Sequence, residues 1–141
     1  MRGTHTGALL AASISVLMLT GAAAPEAALT YHGVITAGSV EGSTYPCVPG
    51  DWNGIWNVRI PDRTGGVAMV FMSLKRDGRM DALVQKEFTL DGSADEVSFA
   101  ASTTMQVTDH LRVTLANGVF TYVLDSEFLQ CEATFTGNAV P

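Results

Sequence analysis

The stretch GDWNGIWNVRI, residues 50–60, decides how this chain is read. Trp52, Gly54, Trp56, Val58 and Ile60 take alternate positions, and Asn53, Asn57 and Arg59 fall between them. A period of two puts the first set on one face of a β-strand and the second on the other. Two indole rings and two β-branched side chains on one face demand burial, so the stretch predicts a strand with an oily inner side and a polar outer side. Gly54 sits between the rings and is expected to leave room for one of them.

The same signature repeats downstream. Short runs rich in Val, Thr, Phe and Tyr alternate with turn sequences, and no helix-period segment of useful length interrupts them. The pattern predicts strands near 52–60, 67–75, 79–90, 95–107 (continuous or broken), 110–116, 119–124 and 128–136, joined by PDRTGG, RDG, DGSA, TDH, NG and DSE. Links this short make consecutive strands pair as hairpins, which gives an antiparallel meander.

Turn length fixes which side chains meet, and this tests the reading. The apolar face of the second strand is Ala68, Val70, Met72 and Leu74, and that of the third is Met80, Ala82, Val84, Phe88 and Leu90. These faces coincide if RDG is a three-residue loop with Gly78 in the left-handed conformation. A two-residue turn at Asn117-Gly118 sets Leu115 against Phe120, Val113 against Tyr122 and Leu111 against Leu124. A four-residue link then sets Leu124 against Leu129, Tyr122 against Cys131 and Phe120 against Ala133.

An open meander leaves two unpaired edges, and closure removes them. Cys47 lies just before the first of these strands and Cys131 on the last, so a disulfide between them would hold the two ends together. The fold expected is all-β: about seven to eight antiparallel strands in a small closed or nearly closed barrel over residues 51–137. A two-sheet sandwich is the alternative. An immunoglobulin-type sandwich fits poorly, because Leu129 stands where its tyrosine would precede the second cysteine.

Upstream, residues 8–24 are apolar and rich in small side chains, with Arg2 before them. Residues 1–23 are expected to be a secretory signal peptide, and no second apolar run is long enough for a membrane span. The alternative for that run is an uncleaved anchor. Export would carry the two cysteines to an oxidising compartment, extracellular or periplasmic, where an even count favours the Cys47–Cys131 bridge. Residues 24–50 read as an N-terminal extension with a candidate strand at 29–35.

Acids outnumber bases, 14 to 8, with no basic stripe, so nucleic-acid binding is not expected. No nucleophile motif, phosphate-cradling glycine loop or Cys/His cluster occurs, so neither catalysis nor a cofactor nor a metal site is expected.

The Gly54-Ile55-Trp56 triplet resembles the G-x-W signature on the first strand of the calycin superfamily, the lipocalins and avidin-like proteins. Thr108-Asp109-His110 resembles the T-D-Y turn of lipocalins, with histidine in place of tyrosine. The likeness covers two triplets in 141 residues, spaced more closely than in a full lipocalin. In that group the tryptophan closes one end of the barrel and a ligand, often hydrophobic, enters the other. The resemblance implies a barrel with a small apolar or amphipathic ligand among Trp56, Met72, Val84, Phe99 and Tyr122, and Lys86, ionisable on the inner face, would meet an anionic group at the rim.

A second signal lies outside. Ile55, Met69, Phe71 and Leu83 point outward on three adjacent strands in this register. Contiguous, they would form an apolar patch for a protein partner or for self-association, unless the 29–35 segment covers them.

Overall fold

The computed structural model describes residues 28–63, 66–105 and 109–141, so the expected signal peptide lies outside the described residues. Eight strands follow one another: β1 (Leu29–Gly42), β2 (Trp52–Ile60), β3 (Val67–Arg76), β4 (Arg79–Leu90), β5 (Phe99–Thr103), β6 (Asp109–Ala116), β7 (Val119–Ser126) and β8 (Cys131–Ala139). Each pairs antiparallel with the next, and β8 returns to β1, which closes the barrel.

The segment expected to be an extension is therefore part of the wall. β1 runs from 29 to 42, well past the candidate strand at 29–35, and pairs with β2 on one side and β8 on the other. It is the strand that joins the two ends of the meander, and its role was hidden because a closing strand pairs with elements distant in sequence. The last strand likewise extends to Ala139, beyond the expected limit at 137.

The first hairpin of three reaches the expected inner-face pairing by a different device. Asp77 and Gly78 form a two-residue turn with φ of 54° and 81°, which by itself would put β3 and β4 out of phase. A bulge beside Leu74 and Lys75 absorbs one extra residue, so that Leu74 meets Ala82 and Met72 meets Val84. At Asn117-Gly118 the pairs Leu115–Phe120, Val113–Tyr122 and Leu111–Leu124 all form. The next hairpin is displaced from the expected register: Leu124 meets Ala133, Tyr122 meets Phe135 and Phe120 meets Gly137. β7 continues to Ser126, and its hydroxyl accepts a hydrogen bond from the Leu129 N–H at 2.9 Å, which holds residues 127–130 as the turn. The displacement is an even number of residues, so every side chain keeps its face.

Only 99–103 of the expected 95–107 strand is extended within the described residues. The Asp95 carboxylate accepts from the Val97 and Ser98 N–H groups at 2.9 and 2.8 Å and bends the chain before β5 can begin. Cys47 and Cys131 form a disulfide, both buried, which fits an oxidising, extracellular-type environment.

Candidate functional site

The interior is the first place to look, and side chains occupy it. Trp56, Met72, Phe99 and Tyr122 are all buried at 5% exposure or less. The Trp56 ring stacks on Phe120 with centroids 4.1 Å apart. Tyr122 meets the edge of Phe88 at 6.1 Å and lies 6.4 Å from Phe135, which in turn meets Trp52 at 5.2 Å. Phe99 lies against Tyr31, at 4.9 Å. Rings from β2, β4, β7 and β8 thus meet across the space expected to hold a ligand, and the Tyr31–Phe99 pair of β1 and β5 packs apart from them. Burial pushes the Tyr122 hydroxyl well above its ordinary pKa, as a dry interior requires.

The glycine expected to make room for a ring does something else. A Cβ on Gly54 would collide with the Ser73 carbonyl, so this glycine lets β2 and β3 approach. Gly38 on β1 makes the room: a Cβ there would lie 2.7 Å from the Trp52 Cβ and 2.8 Å from the Phe135 ring.

Of the six residues expected around a ligand, Trp56, Met72 and Val84 are consecutive cross-strand neighbours on the inner side of β2, β3 and β4. Phe99 packs on Tyr31, away from that row. Val84 and Lys86 stand apart in being half-buried. The reason is a gap in the wall. β4 pairs with β5 at Thr89–Ser102 and Leu90–Ala101 alone, so among the described residues 79–88 have no strand on that side.

The hydrogen-bond pattern shows which main-chain groups face that side. The Leu90 N–H is donated to the Gly66 carbonyl, beside β3, and the Asp91 N–H to the Ala100 carbonyl, beside β5. Antiparallel strands alternate, so the N–H and C=O groups of Leu83, Gln85 and Glu87 point away from β3 into the gap. At its lower end the gap is covered, because the Tyr45 hydroxyl donates to the Asp81 carbonyl at 2.9 Å.

The outer surface beside that edge is apolar. Register places Val34, Ile55, Ser73 and Leu83 in one row across β1 to β4. Ile55 is 52% exposed and Leu83 68%. The Ser73 hydroxyl donates to the Met80 thioether at 3.3 Å, so Met80 joins the row. Met69 is exposed and Phe71 half-exposed on the same face. β1 does not cover this patch: it stands in the wall and adds Val34 to it. Met69, Phe71, Asn57, Arg59 and Gln85, with Val70 and Lys86, line a groove of about 380 Å³.

Charge divides unevenly around the barrel. β2, β3 and β4 carry Arg59, Lys75, Arg76, Arg79 and Lys86 against Asp81 and Glu87, in a chain of net charge −6. Arg76 is held by Asp81 at 2.8 Å and sits 5.8 Å over the Trp52 ring. Among the described residues, Arg59, Lys75, Arg79 and Lys86 join no ion pair. Asp125, Glu132 and Glu41 form an opposing acidic row across β7, β8 and β1.

The sequence marked Ile55, Met69, Phe71 and Leu83 but missed Val34, Met80 and the open edge. The edge follows from β5 ending at Thr103, since in the β4–β5 register the partners of 79–88 would come after Ser102, and no motif in the sequence marks that end. Among the described residues no group of His, Cys, Asp and Glu could hold a metal, and no helix is long and apolar enough to cross a membrane. No protein-family model, characterised protein or solved structure matches the chain.

Proposed function

We propose that this chain is an exported, non-enzymatic protein-interaction module that engages its partner through the outer face of β1–β4. The observation that carries this reading is the row Val34, Ile55 and Leu83, joined by Met80 and Met69, which stays exposed on a small barrel whose interior is already filled. A contiguous apolar surface of this kind marks an interaction site more often than a resting surface. Flexible thioethers and exposed aliphatic side chains can adapt to a partner at little conformational strain. Export is supported by the apolar run at 8–24 and by the buried disulfide.

A small-ligand reading, which the calycin resemblance implies, has less support. It needs space between Trp56 and Tyr122, where Phe88, Phe120 and Phe135 now pack. Small barrels commonly fill with their own side chains.

The test is capture of exported proteins by immobilised wild type and by an Ile55→Asp, Leu83→Asp double variant, with circular dichroism as a fold control. Both positions are exposed, so each substitution should cost no more than about 0.5 kcal/mol in stability. A partner retained by wild type and lost by the folded variant supports the proposal. Equal capture by both overturns it, as does an apolar adduct in native mass spectra after soaking with a lipid extract.

A further inference from the structure

Building on the interaction reading above, we infer that the partner presents an extended, acidic polypeptide segment that adds as a strand to the open edge of β4. Three features converge there. First, the main-chain groups of Leu83, Gln85 and Glu87 face the gap beside β4, and another extended chain satisfies such groups best. Second, alternation along β4 gives an added strand two different surroundings. Its outward side chains continue the apolar surface at Leu83 and Met80, and its inward ones approach Val84 and Lys86, half-buried because nothing flanks them.

The third feature sets the charge of the segment. Arg79 and Lys86 lie on β4 itself, Lys75 stands across from Met80 on β3, and Arg59 lines one groove with Lys86; among the described residues none of the four joins an ion pair, while Asp81 of β4 is already held by Arg76 and leaves Glu87 as the other acid of the strand. Cations without an ion-pair partner beside an unpaired strand favour carboxylates on the incoming chain. They also repel a basic segment, which gives the site selectivity.

The probe is an acetylated, amidated nonapeptide alternating valine and glutamate, compared with a peptide carrying lysine for glutamate. A third peptide carries N-methyl groups on alternate residues. The glutamate peptide should bind at least about tenfold more tightly than the other two, since one lacks the charge match and the other the edge donors. Amide exchange at Leu83, Gln85 and Glu87 should slow on binding while that at Val84 and Lys86, already directed toward β3, stays constant. Gln85→Pro removes an edge-facing donor and spares the β3–β4 ladder, so it should weaken binding about tenfold in a protein with unchanged circular dichroism. Lys86→Glu should reduce the preference for the glutamate peptide.

Equal affinity for the glutamate and lysine peptides overturns the inference, as does unaltered exchange at the three edge amides. Binding to vesicles of anionic phospholipid with none to the peptide overturns it too, and so does concentration-dependent dimerisation that Gln85→Pro abolishes. These results are separable from failure of the broader proposal. If the Ile55→Asp, Leu83→Asp variant loses its captured partner while Gln85→Pro and Lys86→Glu retain it, the apolar face stands and the strand-addition inference falls.

Discussion

The Trp56 indole lies flat on Phe120, its plane 9° from parallel and its centroid 4.1 Å away. β2 supplies one ring and β7 the other, so the contact joins strands that are not neighbours in the wall and fills the space between them. Offset or stacked aromatic pairs add about 0.5–1.5 kcal/mol beyond their buried area. Removing one leaves a void that rigid strands cannot collapse around. Phe120→Ala should therefore cost about 3–5 kcal/mol, read as a shift in the urea midpoint at constant slope. A cost below about 1 kcal/mol would mean that the interior is loose and that the ligand reading should be reopened.

Gly38 makes a sharper prediction about the lower core. A methyl group there would lie 2.7 Å from the Trp52 Cβ and 2.8 Å from a Phe135 ring atom, and both rings are buried. Neither ring can retreat, because Trp52 donates its indole N–H to the Val48 carbonyl at 3.1 Å and Phe135 packs on Tyr122. Gly38→Ala should destabilise by about 1–3 kcal/mol through overpacking, seen as a lower melting temperature. The usual benefit of alanine over glycine in the unfolded chain amounts to less than about 1 kcal/mol and does not offset this.

The same region shows what the sequence could and could not reveal. Alternation from Trp52 to Ile60 and the Asn117-Gly118 turn were readable because both are local, one a period of two and the other a two-residue conformation. β1 was harder, since Gly33, Gly38 and Gly42 interrupt it and its meaning comes from β8 partners about 90 to 105 residues away. The bulge at Leu74 and Lys75 and the displaced β7–β8 turn left the faces unchanged, which is why a wrong local register still produced the right core. For the candidate site, the residues of the apolar patch were legible from parity. The open edge of β4 was not, because an edge is the absence of a neighbour and depends on where β5 stops.

Tyr31 ties stability to alkaline pH. Burial, with the Asp95 charge second, pushes its hydroxyl pKa from an ordinary 10.0 to about 12. The hydroxyl donates to the Asp95 main-chain carbonyl at 2.7 Å, so the neutral form is the one the fold binds. The unfolded chain releases this proton near pH 10 and the folded chain does not, so the stabilisation is complete below pH 10 and is lost as pH rises toward about 12. Tyr122, raised in the same direction, adds to the slope. Tyr31→Phe should lower stability at neutral pH by about 1 kcal/mol for the lost hydrogen bond and flatten the decline between pH 10 and 12. Parallel curves for the two proteins over that range would show that Tyr31 carries none of it.

The disulfide governs the opposite end of the barrel. Cys47 and Cys131 are 84 residues apart in sequence, and in the chain-entropy model a loop of this length is worth about 4–5 kcal/mol. Cys131 opens β8 and pairs with Gly42 of β1 and Ser126 of β7. Cys47 lies in the loop that caps this end, where the Val48 carbonyl holds Trp52 and the Tyr45 hydroxyl holds the Asp81 carbonyl. Cutting the bridge should lower global stability and also free this cap locally, since the other bonds that fix residues 43–51 are isolated hydrogen bonds and not a strand ladder. Cys47→Ala with Cys131→Ala should lose several kcal/mol by urea titration. Its amide exchange at native conditions should quicken first at 43–51 and at the Trp52 indole, ahead of β3 and β6. Uniform acceleration across all strands would place the effect in the unfolded ensemble alone and remove the loop's role as a cap.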